Sequence, residues 1–210
     1  MHADVEREPA SAIELFGDRI GLARVFTESL AREGEERGLI GPLEPPRLWT
    51  RHVLNCAVVA PLLQTGGTVG DVGSGAGLPG IVLAIARPDV RFVLIEPMER
   101  RIAWLQEQKD ALGLTNVEVL RARAEDARLE SPLDQVTARA VSAFRKLIPL
   151  TAPLVRDGGE LVLMKGANAE AEVSAATKEL RRFRIHDVTV EILGSGIVDE
   201  VTRVIRATVR

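Results

Sequence analysis

The chain has 210 residues, of which 46% are hydrophobic and 27% are charged, a composition typical of one folded globular domain. A formal net charge of −3 argues against a globally basic nucleic-acid-binding protein, and the single cysteine, Cys56, excludes an internal disulfide and a thiolate metal cluster. The sequence shows neither an apolar run of the about 20 residues that a bilayer span needs nor a signal-peptide pattern. We therefore expect a cytoplasmic protein with no membrane contact and no metal site.

The first part of the chain is predicted to be helical. Residues 1–10 are charged and are expected to form a disordered tail, whereas apolar side chains in residues 11–63 recur at the three- and four-residue steps of amphipathic helices. Gly41-Pro42 and Pro45-Pro46 separate two such helices. We expect this N-terminal helical extension to pack on a core domain formed by residues 64–210.

From residue 68 onward, short β-rich runs alternate with helical ones. The β-rich runs are apolar without period-two alternation, as in a parallel sheet covered on both faces. The last two runs, 186–193 and 200–209, have no helix between them and should pair antiparallel. The prediction is an α/β fold of the Rossmann-like class I methyltransferase type, with a mostly parallel seven-stranded sheet and a C-terminal antiparallel hairpin. The other predicted strands are 68–72, 91–95, 117–120, 136–140 and 160–164, and the predicted helices among them are 79–87, 99–113, 144–155 and 169–183.

A glycine-rich segment follows the first of these strands, because residues 69–80 read Val-Gly-Asp-Val-Gly-Ser-Gly-Ala-Gly-Leu-Pro-Gly. Glycines allow a sharp turn and the close approach of a ligand, and nucleotide-like ligands bind at the switch point of such a sheet. The spacing Asp71-x-Gly73-x-Gly75-x-Gly77 is the form used by enzymes that bind S-adenosylmethionine, whereas the dinucleotide spacing fits only from Gly75 onward. A P-loop is excluded because no Gly-Lys-Ser/Thr follows.

Acidic residues after the next two strands complete the predicted cofactor site. Glu96 ends the second strand, where a carboxylate can accept hydrogen bonds from both ribose hydroxyls. The loop that contains Glu125 follows the third strand and should pass the adenine, whose exocyclic amine a backbone carbonyl or Glu125 could bind. Taken alone, each acid could equally be an ordinary surface residue.

Three further segments accompany the glycine loop in a fixed order: Trp-Thr-Arg-His-Val-Leu-Asn at 49–55, Ala-Arg-Ala at 138–140 and Met-Lys-Gly at 164–166. With the Leu-Pro-Gly ending of the loop, they make the chain resemble the RsmG (GidB) family over nearly its whole length. Members of that family are bacterial methyltransferases that modify a guanosine of small-subunit ribosomal RNA at N7. The resemblance implies methyl transfer from S-adenosylmethionine to N7 of a guanosine in 16S ribosomal RNA, free or in the small ribosomal subunit, by a protein expected to be a monomer.

The resemblance also implies which residues contact the cofactor: Gly73, Leu78, Ala124, Glu125 and Arg139. Asn55-Cys56 stands where the family commonly has an Asp-Ser pair, which leaves the role of this region open. The complete set of candidate cofactor-binding residues is Asp71, Gly73, Gly75, Gly77, Leu78, Glu96, Ala124, Glu125 and Arg139.

Methyl transfer to N7 fits the residues that are present. N7 carries a lone pair and no proton, so an in-line displacement needs alignment and desolvation but no general base. Arg139, the candidate catalytic residue, could hydrogen-bond the cofactor carboxylate or the O6 atom of the base, and an ion pair with Asp71 or Glu96 is its structural alternative.

Cys56 is expected to be a buried, inert thiol, and His52 to serve packing or an RNA contact. The basic side chains expected to contact RNA are Lys165, Arg123 and Arg100.

Other functions are compatible with the same sequence. A nicotinamide-dependent oxidoreductase could use Gly75, Gly77 and Gly80, although the early Gly73 and the C-terminal hairpin do not favour it. A small-molecule methyltransferase is compatible with the net charge of −3, and a binding or assembly protein could keep the fold without activity.

Overall fold

The computed structural model describes residues 5–210; residues 1–4, part of the predicted tail, lie outside the described residues. The backbone N–H of Glu6 donates to the carbonyl of Pro45, and the Glu8 carboxylate accepts two hydrogen bonds from Arg24. Residues 5–10, expected from their charge to be disordered, therefore lie against the helical extension, because their backbone and carboxylates pair with it.

The N-terminal extension covers one face of the sheet. Phe26, Leu30 and Leu48 are fully buried and share a core cluster with the helix at 80–86. The amphipathic helix predicted from residue 47 is in part π-helical, a rare geometry that often occurs at functional sites. The elements of the extension are α1 (Ser11–Phe16), α2 (Ile20–Glu33), the π-helical segment (Leu48–Leu54) and α3 (Asn55–Ala57).

The core is one seven-stranded sheet. Its strands are β1 (Thr68–Val72), β2 (Arg91–Glu96), β3 (Val117–Arg121), β4 (Leu133–Arg139), β5 (Val155–Lys165), β6 (Ile185–Leu193) and β7 (Thr202–Val209). They lie in the order β3-β2-β1-β4-β5-β7-β6. β1 to β5 pair in parallel, and β7 pairs antiparallel with both β5 and β6. The predicted mostly parallel sheet with a C-terminal antiparallel hairpin is confirmed.

Helices cover both faces of this sheet, as the apolar strands require. They are α4 (Gly80–Ala86), α5 (Glu99–Ala111), α6 (Phe144–Thr151), α7 (Ala169–Ser174) and α8 (Thr177–Arg182). α4 and α5 share the face of the N-terminal extension, and α6 and α7 pack on the opposite face. The single helix predicted over 169–183 is divided, because the Thr177 hydroxyl donates to the carbonyl of Ser174 and competes with the helical ladder.

The carboxyl ends of β1, β2 and β4 meet at one edge of the sheet, where ligands bind in open α/β folds. β4 ends one residue earlier than predicted, because Ala140 has a φ of 55° and turns the chain out of the strand. Within residues 5–210, none of the helices is both long and apolar enough to cross a membrane.

Candidate active site

The loop between β1 and α4 turns sharply over the edge of the sheet. Gly73, Gly75 and Gly77 have φ values of 74°, 54° and 93°, a region that glycine adopts without steric cost. The Gly73 N–H donates to the Ile95 carbonyl at 2.8 Å and ties the loop to β2. A Cβ atom on Gly73 would lie 2.8 Å from Cγ2 of Val141, so a side chain at this point of the loop would force Val141 to move.

Asp71 lies beneath the loop, where its side chain is fully buried. Its Oδ2 accepts a hydrogen bond from the N–H of Gly80, the first residue of α4, at 3.0 Å, and the Ser74 hydroxyl donates to its carbonyl at 2.9 Å. Burial raises the pKa of the Asp71 carboxyl to about 7. Its Oδ1 is buried and has no hydrogen-bond partner among residues 5–210.

Glu96 ends β2 and holds the same loop from the other side. Its Oε2 accepts a hydrogen bond from the N–H of Gly75, and its Oε1 accepts one from the N–H of Met98, both at 3.0 Å. The Arg101 guanidinium lies 3.7 Å from Oε2. Because each carboxylate oxygen has two lone pairs, Glu96 can hold the loop and still accept hydrogen bonds from sugar hydroxyls.

A cavity of about 680 Å³ and another of about 480 Å³ open at this edge of the sheet. The smaller one, the cofactor cavity, lies beside the glycine loop and has the size of a small-molecule site. Apolar walls from Ile95, Met98 and Leu150 suit the flat rings of a nucleoside. The predicted cofactor-binding residues that line it are Gly73, Glu96, Ala124, Glu125 and Arg139.

The other predicted cofactor-binding residues shape the loop and do not line the cavity. Asp71 supports the loop from below, and Gly75 donates its N–H to Glu96. Gly77 packs on α4, since a Cβ atom there would lie 2.7 Å from Cγ1 of Ile81. Leu78 is buried in the core cluster that α4 shares with the N-terminal extension.

The larger cavity, called here the substrate cavity, is bounded by the π-helical segment, β5 and the loop before β7. Arg139, Ala140 and Val141 line both cavities, so the end of β4 separates them. Ala140 is a non-glycine residue in the left-handed region, and such backbone strain clusters at functional sites. The charged side chains around the substrate cavity are Arg51, Arg139, Lys165, Arg203, Glu44, Glu172 and Glu200.

Arg139 contacts the N-terminal extension. Its Nη1 donates to the Arg51 carbonyl at 3.2 Å and lies 3.5 Å from Sγ of Cys56, and its Nη2 donates to Nδ1 of His52. The alternative ion pair with Asp71 or Glu96 is wrong, since neither carboxylate lies within 4.0 Å of this guanidinium in the described part of the chain. The Arg139 side chain lies on the face of the sheet that the N-terminal extension covers, and its hydrogen bonds are with that extension.

His52 is held on its other side by Glu44, whose Oε2 lies 2.6 Å from Nε2 of the ring. A guanidinium only donates hydrogen bonds, so Nδ1 of His52 accepts and Nε2 carries the proton that is donated to Glu44. Burial, followed by the charge of Arg139, lowers the pKa of His52 to about 4, so the ring is neutral at pH 7. Burial also raises the pKa of the Cys56 thiol to about 11, which agrees with the inert thiol expected there.

The three predicted RNA contacts lie in different places. Arg123 is exposed at the rim of the cofactor cavity. Lys165 lines the substrate cavity, but its Nζ lies 2.9 Å from Glu172 and donates to the Ser142 carbonyl at 2.6 Å. Arg100 is exposed and lines neither cavity. Their RNA contacts stay predictions.

Two residues of the site were not predicted from the sequence. Arg101, the neighbour of Arg100, lines the cofactor cavity, and its buried Nε has no hydrogen-bond partner within residues 5–210. The helical period of α5 could have shown which of the two arginines faces the sheet. Glu44 lies in a loop without a recognisable motif, and no local signal connects it with His52.

The strand order, the glycine loop with its carboxylates and the two adjoining cavities define a Rossmann-like fold of the class I methyltransferase type. Solved structures with a similar fold include M. jannaschii TYW2 in complex with AdoMet, with a TM-score of 0.58 and 18% identity over 75% of this chain and 74% of that chain. The tRNA (m1A58) methyltransferase TrmI from Aquifex aeolicus has a TM-score of 0.57 and 13% identity over 74% of this chain and 68% of that chain.

Sequence comparison identifies the family. The family described as rRNA small subunit methyltransferase G (GidB) matches residues 19–200. The ribosomal RNA small subunit methyltransferase G of Leifsonia xyli subsp. xyli is 70% identical over 210 residues, which is 100% of both chains. That of Clavibacter michiganensis subsp. michiganensis is 69% identical over 205 residues, 98% of this chain and 97% of the relative. The chain belongs to the rRNA small subunit methyltransferase G family, which confirms the predicted resemblance and does not favour an oxidoreductase.

Proposed function

We propose that the chain transfers the methyl group of S-adenosylmethionine to N7 of a guanosine in 16S ribosomal RNA by direct in-line displacement. The observation that supports this most is the junction of the two cavities at Arg139, Ala140 and Val141. A donor in the cofactor cavity and a base in the substrate cavity would meet there across one short segment of backbone. The relatives named ribosomal RNA small subunit methyltransferase G support the substrate class.

The residues around the cofactor cavity fit S-adenosylmethionine. The side-chain-free turn at Gly73 lets the backbone approach the ligand, and Glu96 has lone pairs left for the ribose. Two buried polar atoms, Oδ1 of Asp71 and Nε of Arg101, lack partners within residues 5–210. Arg101 lines the cavity, so its Nε can donate to the carboxylate of an amino-acid tail, whereas Asp71 lies beneath the loop and supports it from there.

The remaining cofactor contacts follow from position. We assign the adenine to the wall formed by Ala124 and Glu125 beyond β3, and the tail to Gly73 and Arg101, which line the cavity, while Gly75, Gly77 and Leu78 give the loop its shape. These residues hold and orient the donor. When bound, S-adenosylmethionine supplies an electrophilic methyl group on its sulfonium.

Catalysis at N7 requires alignment more than proton transfer. N7 of guanine has a lone pair and no proton, so nothing has to be removed before attack. The neutral His52 is engaged on both ring nitrogens, and the Cys56 thiol is protonated at pH 7, which agrees with a site that needs no base. Arg139 has five N–H donors, of which only some are used by Arg51 and His52, so the others can donate to O6 of guanine and orient the ring.

The test is product analysis. The protein is incubated with radiolabelled S-adenosylmethionine and either free 16S ribosomal RNA or small subunits from a strain that lacks the gene. We expect label in 7-methylguanosine with at least one substrate, and loss of most of it with Arg139→Ala. Arg32→Ala, an exposed arginine on α2, serves as the matched control and should keep full activity. Label in a different nucleoside, or in neither RNA, would contradict the proposal.

Calorimetry separates the proposal from the oxidoreductase alternative. S-adenosylmethionine should bind with a dissociation constant on the order of micromolar, and NADH should not bind. Affinity for RNA should fall steeply with salt, because the contacts expected from Arg123 and Arg100 are to phosphates.

A further inference from the structure

We propose that His52 is a positioning residue, which fixes the Arg139 guanidinium at the junction of the two cavities while Glu44 fixes the orientation of the His52 ring. The inference rests on the proposed function and deepens it, because it gives the N-terminal extension a part in alignment of the substrate.

Three side chains from two distant parts of the chain form a continuous row. Glu44 precedes the extension's π-helical segment, His52 lies within that segment, and Arg139 ends β4. Glu44 and His52 are joined at 2.6 Å, and His52 is in turn hydrogen-bonded to Arg139. The backbone carbonyl of Arg51 accepts from the same guanidinium at 3.2 Å. One short segment thus supplies two acceptors that fix the plane of Arg139.

The chemistry of the row permits one arrangement of protons. Arg139 cannot accept a hydrogen bond, so a proton on Nδ1 of His52 would place two donors against each other. Glu44 selects the required tautomer, because its carboxylate accepts the proton on Nε2. Glu44 itself is held by Arg47 at 2.7 Å, and Arg51 lies 3.6 Å from it. The low pKa of His52, caused first by burial, keeps the ring an acceptor at pH 7.

Fixing Arg139 matters because its side chain is long and lies at the wall that both cavities share. An unrestrained arginine loses much rotamer entropy when it binds a ligand, whereas one already held by His52 and Arg51 has lost that entropy in the free protein. Small errors in alignment reduce the rate of a displacement strongly. Under the proposed function Arg139 contacts the substrate, and His52 then acts on the reaction through Arg139.

Two substitutions of His52 separate its two hydrogen bonds. Asn places a polar atom near the position of Nδ1 and keeps an acceptor for Arg139, whereas Gln reaches the position of Nε2 and keeps only the donor to Glu44. We expect His52→Gln to lower kcat for RNA methylation by about tenfold or more and His52→Asn to retain a several-fold larger kcat. The affinity for S-adenosylmethionine should change by less than about threefold in both variants. His186→Gln, an exposed histidine on β6, is the matched control.

A double-mutant cycle shows whether His52 acts through Arg139. In an Arg139→Ala background, His52→Gln should lower kcat by less than about twofold, because the guanidinium that it positions is already absent. Thermal unfolding of every variant shows whether the protein still folds. Equal kcat values for His52→Asn and His52→Gln, or full additivity with Arg139→Ala, would overturn the inference.

Nuclear magnetic resonance tests the contact without the reaction. The chain has 3 histidines, so the ring nitrogens of His52 can be assigned with 15N-labelled protein. We expect a protonated Nε2 and an unprotonated Nδ1 at pH 7, and an Nδ1 resonance that moves on Arg139→Ala but not on His186→Gln. An Nδ1 resonance that stays in place would refute the contact. If the wild-type protein does not methylate N7, the proposed function is wrong. The resonance measurement would still show whether His52 contacts Arg139.

Discussion

Substitution of Gly73 by alanine tests the placement of the cofactor cavity. Gly73 has a φ of 74°, and a Cβ atom there would lie 2.8 Å from Cγ2 of Val141. A non-glycine residue in the left-handed region costs about 1–2 kcal/mol, which sets the expected loss of unfolding free energy. Carbon atoms prefer separations of about 3.5–4.0 Å, so Val141 must move by several tenths of an ångström or more at the wall shared by both cavities.

The expected consequence is a larger loss in binding than in folding. We expect Gly73→Ala to weaken the binding of S-adenosylmethionine by at least about tenfold, equivalent to about 1.4 kcal/mol, as measured by calorimetry. Chemical denaturation should show a destabilisation of about 1–2 kcal/mol. The double variant Gly73→Ala/Val141→Ala should recover part of the affinity, because the second substitution removes the contacting methyl group.

Gly66→Ala is the matched control. Gly66 has a φ of 69°, and no atom lies within 4 Å of a Cβ placed there. The control should therefore lose about the same unfolding free energy as Gly73→Ala while its affinity for the cofactor stays unchanged. Wild-type affinity in Gly73→Ala, or an equal loss of affinity in Gly66→Ala, would refute the reasoning.

Two further predictions concern the carboxylates that hold the loop. Because the folded-state pKa of Asp71, about 7, lies above its ordinary 3.8, its contribution to stability is full below pH 4 and is lost as the pH rises through 7. Urea denaturation from pH 5 to 8 should therefore show Asp71→Asn gaining stability relative to wild type as the pH rises, and a constant difference would contradict the buried carboxyl. Glu96→Gln has one acceptor oxygen for the N–H groups of Gly75 and Met98, so it should lose about 1–3 kcal/mol of stability and weaken cofactor binding about tenfold in calorimetry. The exposed Glu99→Gln should leave cofactor binding unchanged, and an equal loss there would count against the assignment.

The glycine loop could be located from the sequence because its signals are local. Positive φ at Gly73, Gly75 and Gly77 is a property of each residue and its neighbours, and the strand before them is marked by its apolar run. The position of Glu96 at the end of β2 is also marked locally, by the apolar run that it ends, and parallel pairing then brings it beside the end of β1.

The roles of charged side chains were less predictable, because they depend on which face is covered. Arg100 and Arg101 are adjacent in sequence, yet only Arg101 lines the cofactor cavity. Lys165 was expected to contact phosphate, but a helix that follows β5 brings Glu172 to 2.9 Å from it. The ion pair between Lys165 and Glu172 depends on the angle at which α7 packs on the sheet. The spacing of hydrophobic residues does not specify that angle.

The alternation of strands and helices along the chain, the site of the glycine turn and the resemblance to the family were determined by the amino-acid sequence alone, because periodicity, backbone preference and short motifs act between near neighbours. The partners of Arg139 were decided only by the tertiary structure. His52 and Arg139 are 87 positions apart, and their contact requires the N-terminal extension to pack on one particular face of the sheet. That packing is set by the sum of many apolar contacts across the core, which no single segment of sequence encodes.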